Sequence, residues 1–211
     1  IIDQTSGYYS ILLDEKCAYK TVFTVKNRHF QWARLPMGLN TSPASFNFAV
    51  ATLLKDALQN FGLVYLDDLI LFSPNFEHHL NLLGRVFAKF REAKLRMNPA
   101  KCGFALEQVR FLGLIVSKKG LSIDEGRVEV IKSFPQIQDH KQLRRFVGMC
   151  SYLRKFVKGF STISYPLRKL LSKDAKWEWG PDQEASFQQL KFAISHSPVL
   201  NFPDPDKKFY V

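Results

Sequence analysis

Cysteine is scarce in this 211-residue chain: Cys17, Cys102 and Cys150 are odd in number and far apart. That spacing fits neither a disulfide framework nor a zinc site, and a reducing intracellular setting is the simplest expectation. No run approaches the roughly 18–20 uncharged apolar residues that a membrane span needs, so no transmembrane segment and no membrane partner are expected. The histidines, His29, the His78-His79 pair, His140 and His196, have no metal-ligand spacing with cysteine and read as structural or surface residues. No nucleophile motif, phosphate-binding glycine-rich loop or zinc signature is present. The start, Ile1-Ile2-Asp3, has no initiator Met, basic leader or small-residue cleavage site, and the chain is expected to be an internal piece of a longer polypeptide.

What is abundant is positive charge and apolar residues. A hydrophobic content of 46% suffices for a normal globular core. The net charge is +11, and residues 89–173 hold 19 Lys and Arg against 6 Asp and Glu, so the remainder is slightly acidic. A basic block beside a neutral-to-acidic one suggests a polyanion held by one region and chemistry done by another. The plainer alternative is a solvated basic surface.

Periodicity gives an α+β order. Thr21-Val22-Phe23-Thr24-Val25 and His29-Phe30-Gln31-Trp32-Ala33 flank Lys26-Asn27-Arg28 as a hairpin. After Leu35-Pro36-Met37-Gly38-Leu39, a helix is expected over 43–59, with Ser42 as N-cap, Pro43 in the first turn, and Phe46, Val50, Leu53, Leu54 and Leu58 on its apolar face. A tight second hairpin follows, residues 61–66 and 69–73 around Asp67-Asp68. A helix from Asn75 to Ala93 would turn Leu80, Leu83, Val86, Phe87 and Phe90 inward. Val109 to Ser117 reads as one strand, turning at Lys118-Lys119-Gly120 into Leu121-Ser122-Ile123. Beyond Pro135 the pattern becomes helical: Asp139 caps a run with Leu143, Phe146, Val147, Cys150 and Leu153 inward, and further helices are expected over 161–172 and 182–195. A Pro-rich tail leads to a strand-like Phe209-Tyr210-Val211. A boundary is expected near residue 122, giving domains 1–122, 123–196 (mainly helical and basic) and 197–211.

Asp67-Asp68 lies between two apolar strands, where adjacent charges face a desolvation cost of several kcal/mol each. A hard divalent cation offsets that cost, since Mg²⁺ takes a few carboxylate oxygens together with water and substrate phosphate. Asp3 follows two Ile residues, as if at the end of a strand entering a turn, and is a third candidate. Three acids from neighbouring strands could hold two metals about 3.5 to 4 Å apart, the geometry of in-line phosphoryl transfer. A solvent-exposed acidic turn is the plainer reading of the pair alone.

In order and content these pieces resemble the reverse transcriptase family, specifically the gypsy-type LTR retrotransposons (Metaviridae), over almost the whole chain. Asp3-Gln4-Thr5-Ser6-Gly7-Tyr8 is similar to the first catalytic motif, which implies that Asp3 binds both metals and that Tyr8 lies under the sugar and excludes a 2′-hydroxyl. Leu35 to Phe46 resembles the second motif and implies that Met37 and Gly38 meet the incoming nucleotide. Tyr65-Leu66-Asp67-Asp68 matches the aromatic-x-Asp-Asp signature, which adds Tyr65 to the primer and template contacts. Phe111, Leu112 and Gly113, with Val116-Ser117, resemble the primer grip, a hairpin holding the growing strand's 3′ end; Leu114 stands where gypsy-type members often have His. Lys101 aligns with a motif whose Lys approaches the departing pyrophosphate. Arg144 and Arg145, with Tyr152-Leu153-Arg154-Lys155-Phe156 and Pro166-Leu167, resemble the thumb and connection, where basic residues suit phosphate contacts without reading sequence.

The resemblance implies a polymerase palm, an antiparallel sheet with helices, and primer-grip-like hairpin within 1–122. A helical thumb and connection would follow, then the first residues of an RNase H-like domain. It implies an RNA-directed DNA polymerase, a nucleotidyltransferase of a retrotransposon Pol polyprotein. Its cofactor would be Mg²⁺, or Mn²⁺, and its substrates dNTPs. RNA template, DNA primer and RNA:DNA duplex would be its partners, along with RNase H and integrase domains of the same polyprotein. Its location would be intracellular, in a cytoplasmic particle or the nucleus. The family's fingers residues that grip the triphosphate would lie upstream of Asp3, so the piece alone need not catalyse even if its parent does. Two other readings use the same residues: a nucleic-acid-binding remnant that catalyses nothing, and a two-metal nuclease, against which Tyr8 and the primer-grip-like strand argue.

Overall fold

A computed structural model describes residues 1–173, 175–203 and 207–208. The chain divides into two compact units, Ile1–Leu106 and Glu107–Val211. The expected α+β class is borne out, with small antiparallel sheets and helices in each unit. No helix among the described residues is long and apolar enough to cross a membrane.

In the first unit, strand β1 (Ile2–Asp3) leads through a 3₁₀ turn (Gly7–Ser10) and a short helix α1 (Glu15–Ala18) to the hairpin β2 (Phe23–Val25) and β3 (Arg28–Phe30). Its turn uses Lys26 and Asn27 at positive φ, the pattern that matches hairpin twist. Both strands are exposed, and Phe23 stacks on Phe30 and leans on Trp32, which stacks on Tyr9. Helix α2 (Ser42–Leu58) buries Phe46, Val50, Leu54 and Leu58, one face at intervals of four. Strands β4 (Gly62–Tyr65) and β5 (Asp68–Leu71) form the second expected hairpin, and β1 pairs antiparallel with β5 to give the order β1-β5-β4. Helix α3 (Phe76–Glu92) starts at Asn75, whose side-chain oxygen accepts from His78 N–H at 2.8 Å. Ile2, Leu69 and Leu71 join the buried faces of both helices in one core.

Two expectations fail locally here. Leu80 is 52% exposed, because the buried stripe of α3 is Leu82, Val86 and Phe90, and a residue two positions from Leu82 points about 200° away. Ser42 is not the N-cap but the first helical residue, following Thr41; its buried hydroxyl donates to the Pro36 carbonyl at 2.7 Å.

The second unit opens with a three-stranded meander, β6 (Gln108–Phe111), β7 (Leu114–Ser117) and β8 (Gly120–Ile123). The single strand expected over 109–117 is therefore two strands, broken where Leu112 (φ +51°) and Gly113 (φ +70°) make a tight turn. The meander shares a core with the helices that follow, Leu114 and Ile123 being buried with Ile131, Phe146 and Phe187. For that reason the compact units separate at 106/107 rather than near 122, and the hairpin belongs with the helical unit. Helix α4 (Glu125–Lys132) was not expected; its Gly and β-branched residues obscure a start that Asp124 caps by accepting from Gly126 N–H. Helices α5 (His140–Tyr152), α6 (Phe160–Lys169) and α7 (Pro181–Ser195) lie where the periodicity placed them. Asp139 caps α5 by accepting from Gln142 N–H at 2.7 Å, and Leu143, Phe146, Val147, Cys150 and Leu153 are buried as expected. Leu200 exchanges backbone hydrogen bonds with Leu121, extending the meander by one bridge. The strand expected at Phe209-Tyr210-Val211 lies outside the described residues.

Candidate active site

Asp3 and Asp68 are distant in sequence, yet strand pairing sets them opposite one another in the β1–β5 register. Asp67 occupies the β4–β5 turn, its carbonyl accepting from Gln4 N–H at 2.9 Å, just past the end of β1. The three expected acids are thus gathered by one antiparallel ladder. Asp67 and Asp68 are half-buried, and Oδ1 of Asp67 is buried without a hydrogen-bond partner. Burial first, then the charges of Asp3 and Asp68, push the Asp67 carboxyl above its ordinary pKa. Burial and the Asp3 charge do the same to Asp68, opposed by Lys101. Lys101 Nζ stands 3.9 Å from Asp3 Oδ2. It is carried there by the 3₁₀ turn Pro99–Lys101, which Asn98 starts while its own N–H donates to the Asp3 carbonyl at 3.0 Å.

The turn that presents the acids is held from behind by a residue the sequence did not single out. Leu66 has φ +53°, a conformation costly for a branched side chain, and its N–H donates to Asn47 Oδ1 on α2 at 3.1 Å. Asn47 directly follows Phe46, which is also part of the site: the Tyr8 ring is buried and stacks on it at 4.8 Å between centroids. Burial and then the Asp67 charge raise the Tyr8 hydroxyl pKa. Gly7 makes this packing possible, since a Cβ there would stand 2.4 Å from Phe46 Cζ and 3.2 Å from Asp67 Oδ1. Gln4 is buried beside Asp3 with its side-chain amide unpartnered. Asn47 lies one residue beyond the quoted second motif and Gln4 within the first, but neither carries charge, so only spatial proximity gives them a role.

Of the other expected site residues, those in the first unit are exposed and the rest belong to the second unit. Met37 is exposed, Gly38 has φ +94° with open space where a side chain would be, and the turn they form is tied to α2 by the Ser42 hydroxyl. Tyr65 is opposite Asp68 in the β4–β5 register and is 51% exposed. Phe111, Leu112 and Gly113 lie at the end of β6 and in the following turn of the second unit. There Arg144 and Arg145 project from the exposed side of α5.

The donor set suits a hard divalent cation: carboxylate oxygens only, one of them buried and unpartnered, with the Asp3 charge raising the proton affinity of both Asp67 and Asp68. Among the described residues no three acidic, His or Cys side chains already converge in ligand geometry. Carboxylates drawn to ligand distance with no cation between them would repel, so these three would need a cation to draw them together.

Comparison with known proteins places this geometry. The family model described as reverse transcriptase (RNA-dependent DNA polymerase) matches residues 1–116. The Retrovirus-related Pol polyprotein from transposon 297 of Drosophila melanogaster is 35% identical over 209 residues, covering 99% of this chain and 20% of the polyprotein. The Transposon Tf2-3 polyprotein of Schizosaccharomyces pombe is 32% identical over 207 residues, 98% of this chain and 16% of that one. This chain therefore spans a fifth or less of the curated relatives it matches. Among solved structures, the foamy viral protease-reverse transcriptase dRH in complex with double-stranded DNA superposes with a TM-score of 0.88 at 26% identity, over 97% of this chain and 36% of that one. The same viral enzyme in complex with RNA/DNA hybrid gives 0.85 at 27% identity, over 95% of this chain and 27% of that one. Proteins of this family generally use divalent metal ions.

Proposed function

Because this chain belongs to the reverse transcriptase (RNA-dependent DNA polymerase) family, we propose that it forms the palm and thumb of an RNA-directed DNA polymerase within a retrotransposon Pol polyprotein. The observation that carries this reading is the β1–β5 ladder, which sets Asp3 opposite Asp68 and leaves a buried, unpartnered oxygen on Asp67.

Asp3, Asp67 and Asp68 would hold two Mg²⁺, or Mn²⁺ in their place. Such a pair supplies charge neutralisation on the attacking and leaving oxygens of nucleotidyl transfer. The remaining work is positioning. Asn47 fixes the backbone of the acid turn through Leu66, and Phe46 fixes the plane of Tyr8, whose ring edge would stand where a ribose 2′-hydroxyl would enter. Met37 and Gly38 present an open turn to the incoming dNTP, Gly38 leaving backbone accessible. Lys101, exposed and near Asp3, would meet the departing pyrophosphate. Tyr65 and the Phe111-Leu112-Gly113 turn would contact the primer, and Arg144 and Arg145 would contact phosphates of an RNA:DNA duplex. RNase H and integrase domains of the same polyprotein would accompany the chain, acting inside the cell in a cytoplasmic particle or the nucleus.

The test is Mg²⁺-dependent extension of a DNA primer on an RNA template by the polypeptide that carries this chain, beside an Asp67→Asn, Asp68→Asn double variant. Extension by the parent protein and none by the variant is expected. Tight, salt-sensitive duplex binding with no extension by the parent would instead mark a non-catalytic nucleic-acid-binding protein. Strand degradation without nucleotide addition would mark a nuclease.

A further inference from the structure

The β6–β7 turn is held by two side chains that no family motif quoted above assigns to it. The hydroxyl of Tyr152, the last residue of α5, donates to the Leu112 carbonyl at 2.6 Å across 40 residues of sequence. The guanidinium of Arg127, from the first turn of α4, lies over the Tyr152 ring at 4.8 Å from its centroid. The same guanidinium fills the space beside Gly113, where a Cβ would meet its atoms at 1.9 to 2.3 Å. Arg127, Tyr152, Leu112 and Gly113 thus form a closed ring of contacts around one turn. A second attachment lies two residues before the turn. Arg110 Nε is ion-paired with Asp124 Oδ2 at 2.7 Å while Asp124 Oδ1 caps α4, so β6 and the helix that carries Arg127 share one anchor.

This arrangement does more than fold stability needs. Tyr152 is 47% exposed and its bond to Leu112 lies at the surface, a kind of contact that contributes little to folding. What it does is set the orientation of one peptide. Leu112 sits at φ +51°, which a leucine does not favour, and the hydroxyl and the guanidinium hold the carbonyl and the glycine on either side of that peptide. A turn whose task is to seat the end of a nucleic-acid strand needs such positional precision, since an error of about 1 Å can cost on the order of a hundredfold in rate.

The geometry points to Tyr152 and Arg127 as positioning residues of the polymerase, a clamp that fixes the Leu112–Gly113 turn and, through it, the primer 3′ terminus. The assignment rests on the polymerase reading above and deepens it. Neither residue touches a reacting atom. The clamp acts on where the strand ends, and leaves duplex affinity and the nucleotide pocket alone.

The experiment compares the parent protein with Tyr152→Phe, Arg127→Ala and Arg127→Lys, each in the full polypeptide that carries this chain. Three quantities are read: fluorescence of 2-aminopurine at the primer 3′ terminus, kcat and KM for single-nucleotide addition, and duplex Kd. Tyr152→Phe and Arg127→Ala are expected to lower the seated fraction of primer ends and kcat by about tenfold. KM for the nucleotide and duplex Kd should stay within about twofold, with little change in thermal melting. Arg127→Lys keeps a cation over the ring and should restore most of the seating. Normal seating and kcat in Tyr152→Phe, with extension by the parent protein intact, would overturn the clamp alone. A parent protein that neither seats nor extends a primer overturns the polymerase reading and the clamp with it.

Discussion

The two tight turns of this protein, Leu66-Asp67 between β4 and β5 and Leu112-Gly113 between β6 and β7, solve one backbone problem in opposite electrostatic conditions. Each places a leucine at positive φ, and each has one backbone group of that leucine hydrogen-bonded to a helix side chain: Asn47 accepts from Leu66 N–H, and Tyr152 donates to the Leu112 carbonyl. At the second turn the Leu112 carbonyl has the Tyr152 hydroxyl as its partner, and the Arg127 guanidinium packs against Gly113 and the Tyr152 ring. At the first, two half-buried carboxylates face a third across the ladder, and one oxygen has no partner. The difference separates a turn built to hold a position from one built to hold a charge that the protein itself does not neutralise. The unpartnered oxygen and the raised carboxyl pKa values at the acid turn are what support the proposed metal site.

The sharpest way to break this comparison is to remove the demand. Asp67→Asn and Asp68→Asn should each cut nucleotide addition about 10³-fold or more, since the charge stabilisation lost is several kcal/mol. The same variants should be more stable than the parent in metal-free buffer, by about 1 kcal/mol in urea denaturation. No stability gain would mean that the acids are not in conflict. Next in size are the glycines that pack each turn. Gly7→Ala would drive a methyl into Phe46 and Gly113→Ala into Arg127, the latter also at φ +70°. Each should cost about 1–3 kcal/mol, read as a shift in denaturation midpoint. Asn47→Ala leaves the Leu66 N–H without its acceptor, should cost about 1 kcal/mol, and should speed hydrogen exchange at that amide.

The smallest effect is a pH dependence. Asp67 and Asp68 hold their protons more tightly folded than unfolded, because burial first and then the Asp3 charge raise their pKa. The folded state therefore binds more protons between the unfolded and folded values, and metal-free stability should fall as pH rises through that window from the ordinary carboxylate range upward. The slope should flatten in the Asp67→Asn, Asp68→Asn double variant, and an identical slope in both proteins would remove these two acids as its source.

Most of the site's chemistry was legible along the chain, because acids interrupting apolar strands are conspicuous by their cost. Helices α2, α3, α5, α6 and α7 were legible for a similar reason: an apolar stripe recurring every three to four residues is a local pattern, reinforced at α3 and α5 by the polar caps Asn75 and Asp139. Where local rules misled, a competing contact had won. Ser42 looked like an N-cap but donates its hydroxyl to Pro36 instead. Val109 to Ser117 looked like one strand because its apolar run continues through Leu112-Gly113, and only the chain's reversal there makes it two. The compact units part at 106/107 and not near 122 because the meander's inward residues, Leu114 and Ile123, are completed by helices that follow them. Phe46 and Tyr152 fell within quoted stretches, and Asn47 and Arg127 outside them, but the contacts of all four were invisible, since an amide, an aromatic ring and a guanidinium have ordinary uses everywhere in a protein.

By itself, then, the sequence determined which residue types were available for chemistry, their order, and the elements that would carry them, because periodicity, capping and desolvation cost act over a few residues. The tertiary structure alone decided that Asp3 stands opposite Asp68, that Asn47 holds the acid turn, and that Tyr152 reaches Leu112. Those pairings span 65, 19 and 40 residues, and contacts at such separations are set by strand register and core packing, which no local pattern encodes.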